Sequence, residues 1–381
     1  MNDGPVNDGP VNDGPVNDDP VNGGPVNDDL FGVDRRKAIL TALAALALLA
    51  AFVWIVGQLS SFGDMRDALE EAHRGWFPLC LAGEVAAYVG YIAAYRDFAR
   101  VDGGPRFPLW TATRVVIVGF GAFVAGSSAG TLGVDYWALN KAGDEPHRAA
   151  RRVLALNTLE WGVLATFACA AGALMLVTGG NAPVEMMLAW LVVVPVCVAA
   201  ATWVSSPVRA DRFTRLPGGA GHPLTRDPET WVPWLRRGAR IALADAIGGV
   251  VLVRHVLLRP RRYPLALAGF PVFWAGDILC MYAALQAFDV HLDLAPLVLA
   301  YTSAYVITSL PLPAGGAGGV EAGLVFSFDA VGVPVAPAVL ATLVYRFFTL
   351  WLPIAVAAVA VTQVKRLAEE LPHVEHEPVP G

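Results

Sequence analysis

Charge is scarce in this sequence. Only 16% of its 381 residues are Asp, Glu, Lys or Arg, 55% are apolar, and the mean hydropathy is +0.52. So little charge excludes a water-soluble globular protein, and the length exceeds what one membrane span needs, so the composition points to a multi-pass membrane protein. Cysteine is equally scarce. Cys80, Cys169, Cys197 and Cys280 lie inside apolar stretches without metal-ligand spacing, which excludes a disulfide framework or a zinc site built on them. Among seven histidines only His373 and His376 approach a ligand pair, in a polar tail, so no metal and no other cofactor is expected. No Gly-x-x-x-x-Gly-Lys-Ser/Thr run occurs, which argues against ATP hydrolysis. Nothing points to nucleic acid.

What charge there is sits unevenly. Eight of the 33 acids fall in the first 34 residues and four in the last 14, and neither tail holds a Lys or Arg. The remaining body therefore carries 27 bases against 21 acids, a balance suited to anionic lipid and to cytoplasmic loops alike. Residues 1–34 repeat a five-residue Asn-Asp-Gly-Pro-Val unit that cannot bury a core, and read as a disordered acidic leader rather than a signal peptide. Residues 367–381 read as a polar tail.

Between the tails, apolar runs from Ala38 to Leu59, Trp76 to Tyr95, Val153 to Val177, Val184 to Val204, Pro264 to Phe288 and Pro334 to Val364 are each long enough to cross ~30 Å of hydrocarbon at ~1.5 Å per residue. Trp231 to Leu258 is interrupted by Arg236, Arg237, Arg240, Asp245 and Arg254 and reads as a helix lying partly in the interface, with a poor span as the alternative. Basic clusters at 96–106, 141–152, 209–262 and 365–366 belong on the cytoplasmic side. The segment after Arg106 must then enter and return before Arg148, and the segment after His291 must do the same from the other side. The expected fold is an all-α polytopic membrane protein with about six full transmembrane helices, two re-entrant hairpins and both termini cytoplasmic, in the inner or plasma membrane.

A shift of 186 residues aligns Leu79-Cys80-Leu81-Ala82-Gly83 with Leu265-Ala266-Leu267-Ala268-Gly269, and Gly90 with Gly276. It also aligns Gly130, Gly133, Val134 and Asp135 with Gly316, Gly319, Val320 and Glu321, and sets Glu160 opposite Arg346. Copies at about 79–180 and 265–366, entering the membrane from opposite sides, form an inverted-topology repeat of the kind that exposes one midplane site alternately to each side.

The sharpest local motif runs from Pro311 through Pro313, Gly315, Gly316, Gly318 and Gly319 to Glu321. Proline ends a helix and glycine permits tight turns and close backbone approach, a combination tolerated at membrane depth only where backbone is buried in protein or lines a watery cavity. Free amides there suit an anion, though glycine also serves plain helix packing. Glu84, Arg114, Glu160, Asp277 and Arg346 lie inside spans, at ~2.5–3.5 kcal/mol each unless paired or wetted. One reading makes them structural ion pairs such as Glu160 with Arg346. The other makes Arg346 a fork for a lipid phosphate, with Glu321 and Asp135 as gate or titrating groups.

The Gly315-Gly316-x-Gly318-x-x-Glu321 element followed by Tyr345-Arg346-Phe347 resembles the lysylphosphatidylglycerol synthase-type transmembrane family, the flippase-like domains, over roughly residues 35–366. The resemblance implies translocation of phospholipids, aminoacylated ones included, or of isoprenoid-type lipids. The soluble aminoacyl-transfer domain of bifunctional relatives is absent, so no enzyme activity is expected. The expected function is a lipid flippase or scramblase-like transporter for a lipid with an anionic or isoprenoid-linked headgroup, bound by Pro311, Pro313, Gly315, Gly316, Gly318, Gly319, Glu321 and Arg346 with Gly130, Gly133, Asp135 and Glu160. A membrane-embedded lipid-modifying enzyme, a glycosyltransferase accessory and a structural membrane partner are the alternatives.

Overall fold

The computed structural model describes residues 70–126, 128–214, 231–309, 318–361 and 363–377. The leader, the first expected span and most of the Pro311–Glu321 motif lie outside them. The described chain is helical, with one isolated bridge between Pro105 and His376. Its helices are α1 (Phe77–Ala99), α2 (Leu109–Gly126), α3 (Ser128–Lys141), α4 (Pro146–Thr178), α5 (Val184–Val204), α6 (Pro207–Thr214), α7 (Trp231–Leu258), α8 (Pro264–Gln286), α9 (Leu294–Tyr305), α10 (Gly319–Ala330), α11 (Val335–Arg346), α12 (Leu352–Val361) and α13 (Val364–Glu370). A π-helical turn, Phe347–Trp351, joins α11 to α12.

Local sequence sets the helix ends. Proline opens α1, α4 and α8, where its missing N–H costs nothing. Gly179 closes α4 in the left-handed region at φ 71°, returning its N–H to the Met175 carbonyl. The Asp97 carboxylate accepts the Ala266 N–H at 2.9 Å, placing an anion at the first turn of α8.

Six described segments have the length and apolarity to cross a membrane: Arg74–Ala99, Pro146–Thr178, Val184–Val204, Gly238–Leu258, Pro264–Gln286 and Val335–Ala357. The protein is therefore an all-α polytopic membrane protein. Gly238–Leu258 joins this set, whereas the sequence placed it in the interface. Its charges are met by neighbours: Asp245 by Arg151 at 3.0 Å and His147 at 3.0 Å, and Arg254 by the Ser205 carbonyl at 2.8 Å. Ten residues along α7 from Asp245, His255 still faces the same end of the bundle through Asp102 at 3.2 Å. Asp102 in turn holds Arg148 through its carbonyl.

α1 and α8 form the most intimate pair. A Cβ at Gly83 would overlap the Gly276 carbonyl, and one at Gly276 the Gly83 carbonyl; Gly90 and Gly269 stand in the same mutual relation. The two helices thus cross antiparallel at backbone contact, which only glycine permits. Tyr91 fills the space beside this crossing against Phe120, Phe270 and Phe273, with ring centroids 5.2, 5.7 and 5.3 Å away.

Two helical hairpins flank the pair. In α2–α3 the Thr131 hydroxyl donates to the Gly119 carbonyl at 3.1 Å, and Gly130 sits against the Ala122 carbonyl. In the second, Gly323 of α10 lies against Ala304 and Ile307.

The basic clusters converge at one end of the bundle. Arg152 reaches the Val101 carbonyl at 2.6 Å, Arg100 the Arg262 carbonyl at 2.8 Å, and Arg152 is ion-paired with Asp144. The C-terminal segment straps across this end. Arg106 donates its N–H to the Glu375 carbonyl at 2.7 Å, Glu377 its N–H to the Gly104 carbonyl at 2.9 Å, and Arg106 and Glu377 pair through their side chains. His376 rests between the carbonyls of Gly103, at 3.2 Å, and Ala142, at 2.7 Å, so one side chain ties together both ends of the α2–α3 hairpin.

Two outcomes follow from this packing. Gly83→Ala and Gly90→Ala should each cost about 1–3 kcal/mol by overpacking, while Gly162→Ala, with open space around it, should be neutral or slightly stabilising; thermal unfolding in detergent checks this. The Arg106 partner holds the Glu377 carboxyl below the usual carboxylate range. Its contribution is therefore complete above that range and fades as pH falls through the lowered value. Proteolysis of the tail should quicken on acidification below the usual range, and Glu377→Gln should quicken it at neutral pH and flatten that response.

Candidate functional site

The core of the site is a buried ion pair. Glu321, fully buried in the first turn of α10, accepts Arg346 Nε at 2.7 Å on Oε1 and the Gly318 N–H at 2.6 Å on Oε2. Gly318 takes φ 83°, a left-handed conformation that favours glycine, and so delivers its amide to the carboxylate three residues on. Gly319 begins α10 directly after it. Arg346 ends α11 at the π-helical turn, is 3% exposed, and keeps Nη2 without a hydrogen-bond partner. Both α10 and α11 are thereby fixed to one charge-neutral point inside the bundle.

Arg346 also lines a cavity of about 70 Å³ between the two hairpins and the α1–α8 pair. Phe120 and Thr131 come to it from α2 and α3, Glu160 and Trp161 from α4, Tyr91 and Phe273 from α1 and α8, and Tyr305 and Thr308 from the second hairpin. Trp161, Trp274 and Tyr305 pack together, with centroids 5.2–6.4 Å apart. The Trp274 indole N–H donates to the Glu160 backbone carbonyl at 2.8 Å, leaving the carboxyl for the cavity wall. The lining thus includes a carboxyl residue and a guanidinium residue together with several aromatic rings.

The structure redraws several expectations. Glu160 and Arg346 face one cavity but are not each other's ion pair, because Glu321 on the adjacent α10 takes the guanidinium. Asp135 is fully buried beside Gly119, away from that pair, and both its oxygens lack a hydrogen-bond partner. Gly130 belongs to the packing seam of the α2–α3 hairpin, and Gly133 is exposed with nothing near its Cα hydrogens. Pro311, Pro313, Gly315 and Gly316 lie outside the described residues. Arg114 pairs with Glu370 of α13 at the basic end, a structural role.

Sequence reasoning missed the group around Asp277. Its Oδ2 accepts both the Tyr301 hydroxyl and the Tyr345 hydroxyl, the latter at 3.1 Å, and the two phenols lie 3.3 Å apart. The cluster fastens α8 to α9 and α11, one residue before Arg346. The spacing of Tyr301 and Tyr305, one helical turn apart, was the available signal. Among the described residues no group of three His, Cys, Asp or Glu could hold a metal ion.

The fold and the cavity define a multi-pass helical membrane protein with a polar site buried between paired hairpins. The model for the lysylphosphatidylglycerol synthase TM region matches residues 42–357, and the chain belongs to that family. No curated protein matches the chain.

Breaking the Glu321–Arg346 pair from one side leaves a lone charge in a dry site, so Glu321→Leu and Arg346→Met should each cost about 3–5 kcal/mol, and the double variant should recover most of it. Asp135→Asn replaces an unpartnered buried carboxyl by a neutral isostere and should leave stability unchanged or raised. Unfolding titrations of the four variants measure both.

Proposed function

We propose that this chain translocates phospholipids across the bilayer, and that the cavity shared by Glu160 and Arg346 receives the headgroup. The single observation that carries the reading is that one cavity at the meeting of both hairpins is lined by Glu160 and Arg346 together with aromatic rings. A headgroup that carries an amine beside its phosphate fits this wall chemistry. Arg346 Nη2 addresses the phosphate, Glu160 the ammonium, and Tyr91, Trp161 and Tyr305 supply the cation–π surface. A purely anionic headgroup would meet Glu160 and an Arg346 whose charge Glu321 already balances, so an aminoacylated or otherwise amine-bearing phospholipid is the favoured cargo. The family's name, which contains a lysyl lipid, agrees with it.

In this proposal the two hairpins are re-entrant. Their limbs of 18, 14, 12 and 12 residues span roughly 18–27 Å at ~1.5 Å per residue, short of ~30 Å of hydrocarbon. The reciprocal glycine contacts of α1 and α8 are what a twofold axis in the membrane plane would produce, because Gly83 and Gly269, and Gly90 and Gly276, are equivalent under the 186-residue shift. The halves are then inverted copies, and alternate access follows from rocking one hairpin and then the other. At about 70 Å³ the cavity is smaller than the ~300 Å³ of an ordinary ligand site, so a headgroup enters only when a hairpin tilts away. The basic end faces the cytoplasm of the cell membrane.

Purified protein in liposomes should exchange a fluorescent amine-bearing phospholipid faster than its purely anionic parent. Glu160→Gln should slow the amine-bearing lipid about tenfold while sparing the anionic one, whereas Arg346→Lys should slow both. Equal slowing of both lipids by Glu160→Gln would discard the amine contact, and no exchange of any lipid would discard transport.

A further inference from the structure

The basic end of the bundle contains a second cavity, of about 300 Å³, that the transport reading does not use. Arg148, Arg151 and Arg152, on successive turns of α4, form one wall, and Val251 and Leu252 of α7 form the opposite one. Gly248 of α7 lies against the Arg151 chain, whose aliphatic part a Cβ there would strike, so its smallness sets the spacing of the two walls.

Three arginines meet three aspartates, but unequally. Arg152 is held by Asp144 and by the Val101 carbonyl at 2.6 Å, and Arg151 by Asp245 at 3.0 Å. Arg148 is the most loosely held. It donates to the Asp102 carbonyl at 2.6 Å, and its approach to Asp144 is a long 3.8 Å to a carboxylate that Arg152 already occupies. The Asp102 carboxylate, the one acid on the lining, is turned to His255 at 3.2 Å. Arg152 Nε is buried without a hydrogen-bond partner in a side chain only 4% exposed.

The depth of the cavity is marked by its neighbours. Ala210 of α6 lines it, and the adjacent Arg209 lies 4.4 Å over the ring of Trp203, an exposed tryptophan at the end of α5. Tryptophan at the end of a span marks headgroup level, and Leu257 and Leu258 on the last turn of α7 are exposed as lipid-facing residues are.

We propose that this cavity is a binding site for a phosphate-bearing anion, the headgroup of an anionic phospholipid held at the membrane surface, with the phosphate on the Arg148–Arg152 wall and the glycerol and upper chains against Val251 and Leu252. The site goes beyond the translocation reading and does not depend on it: the lipid it holds is a resident of one leaflet, fastened where α4, α6, α7 and the 101–103 turn meet.

The test is direct binding to the full chain in detergent micelles, by native mass spectrometry and fluorescence competition, using phosphatidylglycerol, phosphatidylcholine and inorganic phosphate as probes. The wild type should bind phosphatidylglycerol roughly tenfold more tightly than phosphatidylcholine. Arg148→Gln, which removes the loosely held guanidinium of a half-exposed side chain, should erase that preference. Leu252→Trp, which fills the apolar wall without touching a charge, should weaken phosphatidylglycerol by a similar factor, and Arg240→Gln, exposed on the same helix outside the cavity, should change nothing. Competition by inorganic phosphate at the same site would assign it to a soluble phosphate, and its failure to compete would assign it to the lipid; either supports the anion site. Wild-type affinity for phosphatidylglycerol in both Arg148→Gln and Leu252→Trp, or equal affinity for the two lipids, overturns it.

Discussion

In a bilayer, helices gain nothing by hiding apolar surface from one another, because the lipid tails are as apolar as they are. How closely two backbones approach then decides which helices associate. Here that constraint is met at the crossing of α1 and α8, where Gly83 and Gly276, and Gly90 and Gly269, let carbonyl face Cα directly. The crossing fixes Tyr91 and Phe273 in contact, and these rings form the floor of the central cavity. It also aims Asp277 at Tyr301 and Tyr345, which carries the position of α8 outward to α9 and α11.

The polar groups obey a second rule of the dry interior, that a charge is kept only if it is paired or has work to do. Glu321 and Arg346 neutralise each other and spend their remaining hydrogen-bonding capacity on the Gly318 amide and the cavity. Asp277 takes two phenols on Oδ2 and keeps Oδ1 without a partner. Glu160 lies on the cavity lining, and Asp135 is sealed with neither oxygen partnered. That contrast separates residues that hold the hairpins from residues available to a ligand or to a change in hairpin position.

The two ends of the bundle differ in kind. One is crowded with arginines that cross-link the 101–106 loop, the start of α4, α7 and the C-terminal strap. The strap ties the hairpin α2–α3 at both its ends through His376, so any tilting of that hairpin works against the tail. One of the charges that made the sequence of α7 look unlike a span, Asp245, binds it to α4 through Arg151 and His147, because a charged residue on a membrane helix is tolerated where a neighbouring helix supplies its counter-charge.

The sequence by itself determined that this is a helical multi-pass membrane protein and where five of the six described candidate spans lie, because apolar run length is local and the bilayer reads it locally. It also indicated the 186-residue correspondence. Only the tertiary structure decided the partners. Arg346 reaches Glu321 rather than Glu160 because α10 folds back beside α11, and Asp277 Oδ2 is held by tyrosines 24 and 68 residues away along the chain. Gly133 falls outside the site and Gly130 inside a packing seam, since helix rotation, set by contacts across the bundle, is not encoded in any one segment.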